Sequence, residues 1–267
     1  MSINNEIEIY SMASPTEHGE VKIFDDIIFQ KAIRKREIDI VKQMMLVSNP
    51  KRVLDFGCGG GWLTKALSDF NCEIIGIDIA KSLVANSRKV NPNHNFLVAN
   101  CMKLPFDGGS FDLIIGMGIL HHLNIRDALH ECHRVLKPGG QILFMEPNAM
   151  NLLMAIGRKI IPSEIHTKDE KPIYSSYVLR ELSSAGYILY QIKYLFPISI
   201  CISYMLAKAQ YRFAAKMAEK CCDSLIKIEK IYESIPLINK TAGVIVIIAS
   251  KTKSGLCICS TKIEDAE

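Results

Sequence analysis

From residue 51 to residue 147, short apolar runs alternate with stretches of helical period, and that alternation leaves few architectures open. KRVLDFG reads as a buried strand and WLTKALSDF as a short helix. CEIIGID, HNFLVAN, FDLIIGMG and QILFMEP are further strands, with AKSLVANSRKV and IRDALHECHRVL as helices between them. The second of these helices is expected to close at Lys137-Pro138-Gly139-Gly140. Strands separated by single helices at this spacing predict an open, parallel α/β sheet with helices on both faces. Right-handed crossovers then gather the loops after the strands along one sheet edge, where ligands bind in such folds.

Outside that block the pattern is looser. Residues 24–46 have a helical period that Asn49-Pro50 should stop. NAMNLLMAIGRKII and SSYVLRELSSAGY read as helices, YILYQIKYL as a strand, 198–235 as a helical insertion and TAGVIVIIASK as a β-rich run. The reading is a helical segment over 1–50 and one domain over 51–255 carrying insertions at about 147–173 and 198–235. A tail follows over 256–267.

The 32 Lys and Arg residues against 28 Asp and Glu give a formal charge of +4, spread without a stripe. Nucleic acid is therefore not an expected partner. Nine cysteines without a repeating spacing do not form a disulfide framework, and they suit a reducing cytoplasm. His130, Cys132 and His133 cluster on one helix, but Cys221-Cys222 and Cys257-x-Cys259 lack partners at zinc-site spacing, so no metal is expected. The uncharged stretch 194–207 is too short to span a bilayer. It suits a buried helix, a lid or a segment lying against a membrane. The expected location is cytoplasmic, with peripheral membrane contact left open.

The glycine-rich turn VLDFGCGGGW (53–62) narrows the ligand. A dinucleotide fingerprint starting at Gly57 needs a third glycine or alanine where Trp62 stands. A phosphate-binding loop needs Gly-Lys-Ser/Thr, and Gly61 is followed by Trp62-Leu63-Thr64. Asp55 would also repel a pyrophosphate. An acid followed by Gly57, Gly59 and Gly61 suits instead a ligand with both a carboxylate and an ammonium group. The helix N-terminus offers N–H groups to the former and Asp55 a charge to the latter. Asp78, closing the second strand, is placed to accept from both hydroxyls of a ribose. A ribose joined to a methionine-like zwitterion is S-adenosylmethionine.

VLDFGCGGGW, the acid of IIGID, NCMKLPFDGGSFDLIIGMGILHHL and RVLKPGGQILFMEPN together resemble a class I S-adenosylmethionine-dependent methyltransferase of the broad group acting on small molecules and lipids. The resemblance implies a Rossmann-like, seven-stranded, mostly parallel sheet, capped by the N-terminal helix and a helical insertion. It implies that Asp55, Gly57 and Gly59 cradle the methionine end, that Cys58 and Gly61 also belong to the cofactor site, and that Asp78 holds the ribose. Ile79 would pack on the adenine, Asn100 would accept from its amino group in place of the usual Asp, and the Cys101 N–H would reach its ring. Met117, with Gly118, would flank the reactive methyl.

His121 and His122 follow the fourth strand and are candidates for a general base, since histidine titrates near neutrality. Glu146 and Asn148, at the end of the fifth strand, are candidates for the acceptor pocket. The stretch GMGILHHL lacks the Asn/Asp-Pro-Pro-Tyr/Phe pattern of amino-methylating enzymes. Tyr204, Met205, Leu206, Tyr211, Phe213 and Met217 make the later insertion apolar and aromatic, compatible with a lipid-like acceptor. The expected function is methyl transfer to oxygen or carbon of a small or lipid-like molecule. The alternatives are a methyltransferase acting on protein or tRNA and a non-catalytic cofactor-binding subunit.

Overall fold

The computed structural model describes residues 28–160, 172–198 and 224–252. The expected helix start at 24–27, most of the 198–235 insertion, Cys221, Cys222 and the tail lie outside the described residues.

Helix α1 (Ile28–Ser48) ends where the sequence says it should. Asn49 takes a left-handed backbone (φ 43°), its N–H bonding the Met45 carbonyl at 2.9 Å, and Pro50 follows. The sheet comprises β1 (Arg52–Phe56), β2 (Glu73–Asp78), β3 (Asn95–Val98), β4 (Phe111–Met117), β5 (Leu136–Pro147), β6 (Tyr187–Leu195) and β7 (Val244–Lys251). Between them lie α2 (Trp62–Ala66), α3 (Lys81–Val90), α4 (Ile125–Val135), α5 (Leu152–Ile160) and α6 (Ser175–Ser184). Residues 224–233 are helical as well.

The strand order is β3-β2-β1-β4-β5-β7-β6. Strands β1 to β5 are parallel, and β7 runs antiparallel to both β5 and β6. The seven-stranded, mostly parallel expectation holds. Strand β5 begins earlier than expected, at Leu136 rather than Gln141. Phe111 pairs with Leu136, and a bulge before Leu113–Gln141 absorbs Lys137-Pro138-Gly139-Gly140.

Apolar runs in the central strands have a direct cause: neighbouring residues point to opposite faces and both faces are covered. On one face, Leu113, Ile115, Leu143, Met145 and Val246 pack with Val41 and Met45 of α1 and Leu63 of α2. On the other, Ile114, Ile142, Phe144, Ile245 and Ile247 pack with Leu129 and Cys132 of α4 and with Val178 and Leu182 of α6. Between β1 and β4 the chain direction of travel across the sheet reverses, so the loops after these two strands diverge and open a crevice. No helix among the described residues is long and apolar enough to cross a membrane.

Candidate functional site

A cavity of about 690 Å³ occupies that crevice. Its first wall is built from the tips of successive strands: Gly57 after β1, Asp78 and Ile79 at β2, Asn100, Cys101 and Met102 after β3. Its second wall is the turn after β4, Ile119 to Asn124, containing His121 and His122. Pro172, Ile173, Tyr174 and Tyr177 close the far side. Parallel strands cause this convergence, since every strand of the set ends at the same sheet edge.

The glycine turn is held from beneath. Gly57, Gly59 and Gly61 all have positive φ (75°, 52° and 83°), a region costly for residues with a Cβ. At Gly61 there is also no room, because a Cβ would stand 2.7 Å from Asn91 Nδ2. That amide donates to the Gly61 carbonyl at 3.0 Å, and Ser87 Oγ donates to the Gly59 carbonyl at 2.8 Å. Ser87 projects from α3, and Asn91 caps its C-terminal end. At Gly57 a Cβ would meet the Ile119 side chain at 2.6 Å, so the turns after β1 and β4 touch there.

Asp78 sits on the cavity wall with both carboxylate oxygens engaged. Oδ2 accepts from the Gly59 N–H and Oδ1 from the Ala80 N–H, each at 2.9 Å. These bonds fix the carboxylate, and an ionised oxygen can accept more than one donor, so a pair of vicinal hydroxyls could still be held. Asn100 lines the same wall, with Oδ1 accepting from the Met102 N–H at 2.9 Å. Cys101 is buried in the core below the cavity as well as lining it.

Several expected residues stand elsewhere. Asp55 is buried and turns away from the cavity: its Oδ2 accepts from Thr64 Oγ1, in the first turn of α2, at 2.7 Å. Burial raises its carboxyl to a pKa of about 7 against the lowering effect of the Thr64 bonds. Cys58 is buried, its N–H bonding the Ile77 carbonyl at 2.8 Å, and burial pushes its thiol up. Gly59 and Gly61 shape the turn without lining the cavity, and Met117 packs against the α1 face of the core. Asn148 lies under the β5–β7 junction, donating to the carbonyls of Lys240 at 2.8 Å and Ala242 at 2.7 Å.

Glu146 is also beneath the cavity rather than in it. Its Oε1 accepts from the N–H groups of Ile119 (3.0 Å) and Leu120 (2.8 Å), and its Oε2 lies 2.8 Å from His121 Nδ1. The rings of His121 and His122 lie 3.9 Å apart at an angle of 39°. Sequence reasoning missed Thr64, Ser87, Asn91, Tyr174 and Tyr177. The two tyrosines had a signal, an aromatic pair beside Pro172 at the start of a helix, and the Asn148–Ile173 bridge helps carry them to the sheet edge.

A turn of positive-φ glycines, a fixed carboxylate at the tip of β2 and a cavity at the switch point thus meet at one edge of a Rossmann-like α/β domain. Residues 54–144 match the family model described as a methyltransferase domain. The matched stretch, which runs from β1 into β5, is a class I S-adenosylmethionine-dependent methyltransferase domain, whose methyl donor is S-adenosylmethionine.

It is 27% identical over 152 residues to a malonyl-[acyl-carrier protein] O-methyltransferase of Enterobacter lignolyticus, covering 56% of this chain and 57% of that one. It is 34% identical over 108 residues to a demethylmenaquinone methyltransferase of Chlorobaculum tepidum, covering 40% and 44%. The chain thus spans about half the length of the curated relatives it matches. Among solved structures, the [4+2]-cyclase SpnF superimposes with a TM-score of 0.59 at 20% identity, covering 82% of this chain and 80% of that one. The geranyl diphosphate C-methyltransferase of Streptomyces coelicolor A3(2) gives 0.54 at 14%, covering 76% and 70%. Such likenesses establish the fold alone, and a cyclase among them shows why the reaction must be argued from the site.

Proposed function

We propose that the protein transfers a methyl group from S-adenosylmethionine to oxygen or carbon of a small or lipid-like acceptor. The observation that carries this reading is the two-sided cavity. One wall has the fixed Asp78 carboxylate with Ile79, Asn100 and Cys101, and the other has His121, His122, Tyr174 and Tyr177. The residues present fit the donor: Asp78 would hold the ribose, Ile79 and Cys101 would bound the base, and Gly57 leaves the backbone bare toward the methionine end. The donor supplies an activated methyl and a sulfur leaving group. The protein's part is to align the two substrates, exclude water and take a proton where the acceptor carries one.

The Asp55 geometry changes one detail of the sequence reading. Thr64 and burial occupy Asp55, so we assign it to anchoring α2 and leave the methionine end to backbone groups of the turn. The acceptor side is assigned to Tyr174 and Tyr177. Two relatives act, by their names, on malonyl-[acyl-carrier protein] and demethylmenaquinone, which supports a small or lipid-like acceptor. None of the described cavity-lining residues is Lys or Arg, which disfavours tRNA. The test is incubation of purified protein with labelled S-adenosylmethionine and cell extract separated into lipid, small-molecule, RNA and protein fractions. Label in the lipid or small-molecule fraction is expected, and label only in RNA or protein overturns the reading.

A further inference from the structure

The carboxylate of Glu146 is fully buried beneath the second wall, and among the described residues its side-chain hydrogen bonds all go to the turn containing the histidines. Oε1 accepts two backbone N–H groups, those of Ile119 and Leu120. Oε2 faces the His121 N–H at 3.4 Å and the His121 ring Nδ1 at 2.8 Å. The backbone groups can only donate, so the carboxylate is arranged throughout as an acceptor. A fourth partner that donates in the same way carries its hydrogen on Nδ1. A ring that carries its proton on Nδ1 presents a lone pair at Nε2.

We propose that Glu146 is a positioning residue that holds His121 as the Nδ1–H tautomer, so that Nε2 is the proton acceptor on the cavity wall. This rests on the methyl-transfer reading for its use, with an acceptor hydroxyl as the chemical class it serves. As the acceptor oxygen forms its bond to the methyl carbon, the carbon–sulfur bond breaks with its electron pair going to sulfur. The hydroxyl proton passes to Nε2. The resulting imidazolium stands 2.8 Å from a buried carboxylate that balances its charge. Glu146 itself never takes the proton. The His122 ring packs against the His121 ring at 39°.

The assignment has a readout that requires neither acceptor nor turnover. Long-range proton–nitrogen correlation spectra of protein labelled with ¹⁵N-histidine report which ring nitrogen carries hydrogen, and H121Q identifies the His121 signals. Wild-type protein at pH 8, with and without S-adenosylhomocysteine, is expected to show His121 protonated on Nδ1. In E146Q the new amide can donate to the ring, and the hydrogen is expected to move to Nε2. A wild-type ring protonated on Nε2 overturns the proposal, and so does an E146Q ring unchanged from wild type. Glu146 also braces the turn, so if E146Q does not fold the wild-type spectrum decides alone. Failure of the methyltransferase reading would show separately, as S-adenosylmethionine giving no heat in calorimetry.

Discussion

On the β1–β2 side of the cavity, backbone and side chains hold each other at fixed short distances. Ser87 and Asn91 carry the glycine turn, Asp78 accepts from two N–H groups, and Thr64 ties Asp55 to the next helix. On the opposite side, Tyr174 and Tyr177 are 56% and 39% exposed. The contrast has a physical reason. A donor common to a whole family needs a preorganised site, whose cost is met during folding. An acceptor wall that differs from enzyme to enzyme is carried by connecting segments, which change without disturbing the core.

The comparison can be broken most sharply at Asp78. Asp78→Ala removes the acceptor of two N–H groups as well as the expected ribose partner. Calorimetry should show S-adenosylmethionine affinity falling roughly 100-fold or more, since hydrogen bonds to a charged group contribute about 1.5–3 kcal/mol each. Unchanged affinity would mean that the rigid wall is not the donor wall.

Asp55 offers a test by pH. Its folded pKa, about 7, lies above the ordinary value of 3.8, so the folded state binds more protons than the unfolded one between those values. The stability contributed by this group is therefore complete near pH 4 and lost as pH rises toward 7. Over that window the loss is on the order of 3 kcal/mol. Asp55→Asn should remove that slope in urea denaturation, the wild-type minus variant difference isolating it from other titrating groups. A difference that does not vary with pH would place Asp55 in a wetter setting.

Gly61→Ala adds a Cβ at positive φ against Asn91 and should cost roughly 2 kcal/mol, read as a lower denaturation midpoint. Retained stability would show that α3 does not clamp the turn. The smallest effect is expected from Tyr177→Ala on the exposed wall. S-adenosylmethionine affinity should change by less than about twofold, because exposed substitutions away from anchored groups have small effects. A loss as large as that at Asp78 would erase the distinction between the walls.

Much of this was readable in the chain itself. The strands at 52–56, 73–78, 111–117 and 244–251 are continuous apolar runs because both sheet faces are covered. The turn at 57–61 needs glycines because its backbone sits at positive φ. Both are local signals. The acid of IIGID was likewise legible, since the end of a parallel strand fixes where its side chain can stand.

Direction and company were not legible. Asp55 reads from the sequence as a partner for an ammonium group, and nothing local announces the bond it accepts from the Thr64 hydroxyl. Glu146 and Asn148 read as pocket residues because they end β5, yet their partners come from residues 119–121 and 240–242, far away in sequence. Periodicity and steric demand are properties of neighbouring residues, so the amino-acid order determined the sheet, the turn and the donor class. Which way a buried polar side chain faces depends on the partner that satisfies it, and that partner is supplied only when distant segments pack together.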